Sequence, residues 1–552
     1  MTEVAVLGGG VGGLSAAHEL AERGFSVTVY EAGNRMGGKA RSFPGPTSPG
    51  EKTLPAEHGF RFFPGFYQHV TDTMSRIPFG AGTVIDNLVE TTEVLQASAD
   101  QQWMMSTNVP STFHGVQTAV ANLFGGPEVP RDEKAYFLNR VGQLLTCSDD
   151  RLAEELDEIS WWDFINAEIM SHKYKQNLAF GLSQSFVALR PKRASTRTMG
   201  RIYLQLLQGM FDEEKESDLV LNGPTSEVWI DPWTSYLNSL GVDLRLNATV
   251  TAIESDGSRV TGVEINDGRV NRIVDADYYI VALPLGVLES LLTPALEAAA
   301  PSLGGVAQLE EAWMNGIQFY LKEDVDLVHG HGIYYDSPWA LTTISQRQFW
   351  EEYDFSSHEE VSGILSVCIS NWNDPGIVYG KPARECTRAE IRDEVITQLE
   401  LHLSPENGVA FSEELVRDWY LDPAISFDSE GIVENNSEPL FINSVGSLKN
   451  RPEPVTAAEN VMVATDYTRT NSELACMESA NEAARRAVNG IVARSDNSAE
   501  ACRLWQLTLP RSIERFQQLD GLIYRSGFPH PGAVTPTMWS GYSAFRTLFL
   551  TK

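Results

Sequence analysis

Three glycines near the amino terminus have the spacing of a dinucleotide-binding turn. Gly8, Gly10 and Gly13 follow an apolar run at residues 4–7, and apolar residues at helical spacing come after them. In this context the first glycine permits a tight turn, the second lets a pyrophosphate approach the backbone, and the third lets helix and strand pack closely. The free N–H groups and the positive end of the helix favour phosphate binding. The motif therefore predicts a dinucleotide cofactor.

A carboxylate ends the next predicted strand. Glu31 lies 21 residues after Gly10, where a carboxylate can accept hydrogen bonds from both hydroxyls of an adenosine ribose. The same negative charge would repel a 2′-phosphate. The position therefore disfavours NADP.

A second pair of glycines follows this carboxylate. Segment 31–39 contains Arg35, Gly37, Gly38 and Lys39. The glycines can bring the backbone against a pyrophosphate, and the two cations can pair with phosphate charge. The segment resembles the one that follows the second strand in the flavin amine oxidase and phytoene desaturase superfamily, with the pattern E-x₃-R-x-G-G-[RK]. The resemblance implies FAD, because NAD dehydrogenases do not need this second loop.

The resemblance returns far along the chain. Segment 460–480 is similar to the terminal FAD motif of the superfamily, N-L-F-x-A-G-D followed by T/Y-M-E-G-A. By this resemblance Asp466 would contact the ribityl-pyrophosphate moiety of FAD. The helix that opens near Met477 would direct its positive end at the flavin and stabilise negative charge there. Thr465 and Ser479 depart from the motif, since each replaces a glycine.

The resemblance also extends to the middle of the chain, where Val250 matches a strand residue whose backbone recognises adenine. We expect non-covalent FAD, because no Cys or His lies where amine oxidases attach theirs. The implied cofactor-binding residues are Gly8, Gly10, Gly12, Gly13, Glu31, Ala32, Arg35, Gly37, Gly38, Lys39, Val250, Asp466 and Met477.

The order of strand and helix patterns predicts an α/β fold. We expect a discontinuous, Rossmann-like FAD-binding domain and a mixed α+β substrate domain with a helical insertion. In chain order the predicted segments are 1–71 (first FAD-binding stretch), 72–221 (mostly helical insertion of the substrate domain), 222–300 (second FAD-binding stretch), 301–450 (sheet and helices of the substrate domain), 451–495 (third FAD-binding stretch) and 496–552 (C-terminal extension).

Two branches of the superfamily differ in their reacting groups. Flavin amine oxidases usually place a lysine shortly after the segment that corresponds to 282–288, where it holds a water at flavin N5. Here the first lysine after that segment is Lys322, and Cys476 stands where those oxidases tend to have an aromatic residue. Both differences favour desaturation of an apolar, polyene-like molecule, with hydride transfer from carbon to flavin N5. An amine oxidase, a redox-neutral isomerase and a non-catalytic escort protein are the alternatives.

No residue type identifies the catalytic base. The resemblance places Glu57, His58 and Arg61 near the flavin, which makes them the catalytic candidates. His329 and His331 lack a Cys or carboxylate at ligand spacing, so we predict no metal. A neighbouring aromatic set either lines an apolar tunnel or belongs to the core, and consists of Phe60, Phe62, Phe63, Phe66 and Tyr67.

The chain is strongly acidic, with 552 residues and a formal net charge of −32. Such a charge disfavours nucleic acid as a partner, because phosphate contacts need Lys and Arg. One basic cluster stands out: Arg190, Lys192, Arg193, Arg197 and Arg201. It either pairs with the protein's own carboxylates or contacts a membrane surface or a carrier protein. Five widely spaced cysteines and no signal-peptide pattern predict a cytoplasmic protein that can lie peripherally on the membrane.

Overall fold

The computed structural model describes residues 2–47, 50, 52–106, 129–181, 183–184, 189–211, 218–325, 327–358, 360–404, 408–506 and 511–534. Within these ranges the chain forms two large sheets, one of five strands and one of seven. Several smaller sheets and helices cover them. No helix in the described ranges has the length and apolar content needed to cross a bilayer.

The first large sheet has five parallel strands. Apart from the edge strand Asp243–Arg245, its strands are short and mostly buried apolar runs, which is typical of a parallel sheet with helices on each side. Helices Val11–Glu22 and Met477–Arg494 pack against each other on one face. In spatial order the strands are Asp243–Arg245, Ser26–Tyr30, Glu3–Leu7, Tyr278–Val281 and Val461–Val463. The sheet assembles distant segments of the chain and confirms the predicted α/β, Rossmann-like fold.

The other face of this sheet carries a smaller, antiparallel layer. Strands Thr249–Ser255, Val260–Asn266 and Asn271–Val274 form it. Short helices Leu285–Leu291 and Pro294–Ala299 pack beside it around a shared apolar cluster. This layer holds the backbone of Val250 close to the end of the second parallel strand.

The second large sheet has seven strands and is mostly antiparallel. Helix Arg388–His402 packs on one face, where residues such as Phe319 and Val367 form a buried cluster. Alternate residues on the opposite face point away from this helix. In spatial order the strands are Gln101–Ser106, Glu93–Ser98, Gly330–Tyr334, Leu341–Ser345, Gly363–Ile369, Asn315–Leu321 and Val416–Leu421.

The segment 72–221, predicted as a mostly helical insertion of the substrate domain, holds both helices and strands. It contains helices Arg131–Thr146 and Thr196–Phe211, but also strands Glu93–Ser98 and Gln101–Ser106. Glu93–Ser98 pairs in parallel with Gly330–Tyr334, more than 230 residues later in the chain. This long-range pairing completes the seven-stranded sheet and overrides local propensity.

The C-terminal extension is anchored on the helical region. Helix Arg511–Arg525 packs against helix Arg131–Thr146, and its buried Asp520 accepts hydrogen bonds from Arg151 and from the Ser148 backbone at 3.0 and 2.8 Å. Cys147 and His530 also lie close to this carboxylate. Because Arg151 and Ser148 already occupy the Asp520 oxygens, the cluster functions as an internal tether.

Candidate functional site

The first glycine turn is closely packed against neighbouring backbone. Gly8 has a φ of 106°, and a Cβ at this position would lie 2.3 Å from the carbonyl oxygen of Ala282. A Cβ at Gly13 would lie 1.9 Å from the Gly8 oxygen, and one at Gly12 would lie 2.1 Å from the Ala464 oxygen. No real side chain tolerates such distances, so these positions require glycine. The turn is therefore fixed between the end of strand Glu3–Leu7 and the end of strand Val461–Val463.

The second glycine pair lies directly against the first turn. The Gly37 N–H donates to the Gly9 carbonyl at 2.8 Å, and Gly37 also forms a bridge with Gly10. Gly37 and Gly38 have positive φ values of 112° and 53°, which only glycine adopts readily. A Cβ at Gly10 would meet the Gly38 Cα at 3.8 Å, an ordinary contact. The backbone at Gly10 thus leaves room for a phosphate, as the predicted cofactor requires.

Glu31 lies at the edge of both loops. One carboxylate oxygen accepts from the Gly9 N–H at 2.7 Å, and the other accepts from the Gly33 N–H at 2.7 Å. Its carbonyl accepts from the Ala248 N–H at 2.8 Å. This contact brings the strand that holds Val250 beside Glu31. The two residues assigned to the adenosine end of the cofactor therefore lie in adjoining segments, and Ala32 follows at the surface.

The two cations of the second loop have different surroundings. Arg35 is half-exposed and lies 3.5 Å from Asp231. Lys39 donates from Nζ to the Pro439 carbonyl. Its charge also lowers the pKa of Asp466 and so opposes burial, which raises that pKa. Lys39 thus links the glycine loop to the C-terminal motif, whereas Arg35 lies at the rim.

Asp466 and Cys476, both in the C-terminal motif, lie deep in the protein, yet each residue retains accessible surface. Burial raises the pKa of Asp466 and raises the pKa of the Cys476 thiol to about 12. Cys476 caps the helix that begins at Met477, with its sulfur accepting from the Ser479 N–H at 3.5 Å. The positive end of this helix therefore lies at Cys476.

The two departures from the C-terminal motif are accommodated locally. The Ser479 hydroxyl hydrogen-bonds with that of Thr470 at 2.5 Å, and the Thr465 hydroxyl with that of Thr468 at 3.1 Å. Each added hydroxyl therefore has a hydrogen-bond partner within the C-terminal motif. Neither alters the close contact of Gly12 with Ala464.

Glu57 is held by its own neighbours. Its carboxylate accepts from the Thr225 N–H at 2.8 Å, from the Thr225 hydroxyl at 2.7 Å and from the Ser42 hydroxyl at 2.9 Å. Burial raises the pKa of Glu57, and the Arg61 guanidinium, 3.8 Å away, opposes this effect. Arg61 also donates to the Lys39 carbonyl at 2.6 Å. Both side chains join the glycine loop to the substrate side, and their catalytic assignment stays a prediction.

His58 connects this segment to the seven-stranded sheet. Its Nδ1 lies 2.5 Å from an oxygen of the buried Asp422, and its carbonyl accepts from the Gly316 N–H at 2.7 Å. Burial would raise the pKa of Asp422, but the contact with His58 holds it below the usual value. The Asp422 carboxylate thus orients the imidazole. A catalytic role for His58 also stays a prediction.

The sheet places two residues that the sequence patterns did not single out against the backbone of His58 and Gly59. Gly316 and Cys368 are cross-strand partners, and a Cβ at Gly59 would lie 3.0 Å from the Cys368 sulfur. Burial raises the pKa of Cys368 to about 11. Lys322 lies beyond the far end of the same strand, where Nζ donates to the Glu414 carbonyl at an exposed position. Both strands are buried along their whole length, so no alternation of polar and apolar residues marks Gly316 or Cys368 in the sequence.

Part of the aromatic set lies against the ring of His331, and part belongs to the hydrophobic core. Phe60 and Phe62 contact the His331 ring, with centroid distances of 5.0 and 4.2 Å. Phe63 and Tyr67 pack in the core beneath the first sheet. Burial lowers the pKa of His331 to about 3, so its ring is neutral at physiological pH.

The basic cluster is largely paired within the protein. Arg197 pairs with the buried Glu473, Arg201 with Asp149 and Arg190 with Asp374. The remaining two contacts are Arg193 with Glu310, and Lys192 above the Trp162 ring. Four of the five cations thus meet carboxylates of the same chain. Contact of this cluster with a membrane or carrier protein stays a prediction.

Comparison with known proteins places this site in a family. The sequence profile described as flavin containing amine oxidoreductase matches residues 11–492. The chain is 23% identical over 309 residues to a 15-cis-phytoene desaturase of Synechococcus elongatus, covering 53% of this chain and 60% of the relative. It is 24% identical over 529 residues to a carotenoid phi-ring synthase of Streptomyces griseus, covering 92% and 90%.

The fold is similar to that of solved amine oxidases. Cyclohexylamine oxidase from Brevibacterium oxydans superposes with a TM-score of 0.57 at 14% identity, covering 89% of this chain and 99% of that one. The profile match spans most of the sequence, so the protein belongs to the flavin-containing amine oxidoreductase family. It is accordingly an FAD-dependent oxidoreductase by class, as the glycine motifs predicted. The chain spans about 60% of the length of the phytoene desaturase that it matches.

Proposed function

We propose that the protein dehydrogenates a carbon–carbon bond of an apolar, polyene-like molecule. The observation that carries this proposal is which residues stand at two positions where an amine oxidase differs. Cys476, whose sulfur caps the helix from Met477, stands where those oxidases tend to have an aromatic residue, and Lys322 is exposed beyond the end of its strand. This arrangement lacks the lysine and the aromatic residue that an amine oxidase would be expected to use at these positions.

The apolar side of the site supports the same substrate class. Phe60, Phe62 and the neutral ring of His331 form one aromatic surface. Val94, Ile333 and Tyr335 form a small buried cluster on the adjoining strands. Such a surface favours a hydrocarbon chain over a charged amine, because burying an unpaired ammonium is costly. One of the relatives named above is a 15-cis-phytoene desaturase.

The protein's own groups have defined tasks in this reaction. Bound FAD supplies the hydride acceptor. The helix that begins at Met477 stabilises negative charge at its positive end. The neutral thiol of Cys476 and the aromatic surface exclude water from the reacting carbons. The neighbouring proton leaves to a base or to solvent.

Anaerobic mixing tests the proposal. The holoprotein is mixed with phytoene in detergent micelles or with putrescine, and the flavin absorbance near about 450 nm is followed. We expect phytoene to bleach the band and yield a product with absorption at longer wavelength, while putrescine leaves the band unchanged. Bleaching by putrescine, with ammonia and hydrogen peroxide after air is admitted, would establish an amine oxidase. A flavin that neither compound reduces would favour an isomerase or escort protein, and free FAD is the control.

A further inference from the structure

A fully buried arginine binds a loop of the C-terminal motif. Arg451 is 2% exposed, and its guanidinium lies 5.4 Å from the centroid of the Phe441 ring. Its Nε donates to the Tyr467 carbonyl at 3.0 Å, and one Nη donates to the Thr468 carbonyl. The other Nη donates to the Glu473 carbonyl at 3.4 Å. A planar guanidinium presents five donors in a fixed geometry, so this one side chain holds the loop at three points.

The loop joins Asp466 to the helix that begins at Met477. Within it Glu473 has a φ of 58°, in the left-handed region that residues with a side chain rarely adopt. Such a conformation persists only where its surroundings hold it. The Glu473 carbonyl accepts from Arg451 and also from the Asn443 side-chain amide, the latter at 2.7 Å. The loop is therefore held at the residue where its backbone is strained.

A second arginine holds the same residue by its side chain. Arg197 pairs with the buried Glu473 carboxylate, with Nε 3.0 Å from one oxygen. Gln205 of the same helix, Thr196–Phe211, donates to the Ser472 carbonyl at 3.0 Å. This helix is thus attached to the loop at two successive residues. Together the two arginines hold Glu473 at both its carboxylate and its carbonyl.

The charge of Arg451 also acts on the C-terminal motif. Burial raises the pKa of Asp466, and the charges of Lys39 and Arg451 both oppose that effect. Burial lowers the pKa of Arg451, whereas the negative charges of Glu473, Asp157 and Asp466 oppose this lowering. An arginine stays protonated in proteins. Arg451 is therefore a buried cation whose charge reaches the residues assigned to FAD.

We infer that Arg197 and Arg451 are positioning residues for the FAD cofactor. Each acts through the loop, which sets where Asp466 and the first turn of the helix from Met477 lie. The positive end of that helix stabilises negative charge on the flavin. Moving the loop therefore changes the reduction potential of the flavin as well as the affinity for FAD. A purely structural role would change only the stability of the fold.

Two variants of Arg451 test the inference in the full-length protein. Arg451→Lys keeps the charge but loses the planar fork, and Arg451→Met loses both the charge and every donor. We expect the dissociation constant of FAD, measured by fluorescence titration of apoprotein, to rise roughly tenfold or more in each variant. The midpoint potential of the bound flavin should fall by about 30 mV or more in Arg451→Met and by less in Arg451→Lys. A shift of about 30 mV corresponds to a tenfold change in the equilibrium constant for two electrons.

Arg151→Lys and Arg151→Met are the matched controls. Arg151 is 1% exposed and pairs with Asp520 of the C-terminal extension, so these variants also remove a buried guanidinium. We expect them to lower the temperature of unfolding, while FAD affinity and midpoint potential stay at wild-type values. Reduction in the presence of a reference dye measures the potential without substrate. The result is therefore separate from the proposed dehydrogenation.

Two results would overturn the inference. The first is a wild-type midpoint potential in folded Arg451→Met, which would leave Arg451 a purely structural role. The second is an equal change in the Arg151 variants, which would mean general destabilisation. If neither Arg451 variant folds, Arg197→Gln decides, because it removes the partner of Glu473 at a less buried position. A lower midpoint potential in Arg197→Gln would support the inference, and the wild-type potential would overturn it.

Discussion

The Glu31 carboxylate accepts a hydrogen bond from the backbone N–H of Gly9, with an N···O distance of 2.7 Å. This bond joins the end of the second parallel strand to the glycine turn after the first. The other oxygen holds Gly33 at the same distance. The sequence assigned Glu31 to ribose binding, and its contacts add a second task, which is to order both cofactor loops.

Replacing Glu31 by alanine should therefore weaken FAD binding roughly 10–100-fold. Hydrogen bonds to a charged group contribute about 1.5–3 kcal/mol each, and a factor of ten in affinity corresponds to about 1.4 kcal/mol. The flavin-to-protein ratio after gel filtration and a fluorescence titration of apoprotein measure the change. Glu254→Ala removes an exposed carboxylate on a neighbouring strand and should retain FAD. Full flavin occupancy in Glu31→Ala would contradict the assignment.

The close contact between Gly12 and Ala464 gives a second prediction. A Cβ at Gly12 would lie 2.1 Å from the Ala464 oxygen, so Gly12→Ala must push the helix and the last strand apart. We expect loss of flavin and a free energy of unfolding lower by about 1–3 kcal/mol, as in other overpacked sites. Gly286→Ala is the matched control, because its Cβ would lie 3.6 Å from the nearest atom. Chemical denaturation of both variants tests this, and equal stabilities would refute it.

The sequence revealed the features of this protein that local patterns determine. The turn at Gly8, the strand Ser26–Tyr30 and the helix from Met477 each depend on a few adjacent residues, and they are where the patterns placed them. The position of Gly316 and Cys368 beside the candidate site depends on the pairing of two strands. The link from the His58 carbonyl to Gly316 joins residues more than 250 positions apart. Neither type of contact leaves a local signal.

The aromatic surface around His331 should determine how well apolar substrates bind. Phe62 lies 4.2 Å from the His331 ring centroid. Truncation in Phe62→Ala removes this contact and apolar area, so we expect the substrate concentration for half-maximal flavin reduction to rise about tenfold. Anaerobic stopped-flow measurement with phytoene tests this, with FAD content unchanged. The control is Phe79→Ala, which changes a half-buried residue of the Pro78–Phe79 strand. Its flavin should be half reduced at the same phytoene concentration as in the wild type. Equal shifts in both variants would mean general destabilisation.

Asp218 should make stability depend on pH. Its carboxylate accepts from the Gly65 N–H at 3.0 Å, and burial raises its pKa to about 6. An acid with a raised folded-state pKa binds more protons in the folded than in the unfolded protein between its two pKa values. Its contribution therefore weakens the fold as pH rises from about 4 to 6, by at most about 3 kcal/mol, and stays unfavourable above pH 6.

Asp218→Asn removes this titration while keeping an oxygen acceptor for Gly65. We expect the variant to be more stable than wild type at about pH 8, and the difference to vanish below about pH 4. Thermal unfolding of both proteins across this range measures the difference. Asp256→Asn is the control with the opposite sign, because hydrogen bonds from the Arg259 and Ser258 backbones lower the pKa of Asp256 to about 2. If Asp218→Asn gave the same difference at every pH, burial of an ionised carboxylate would not be the cause.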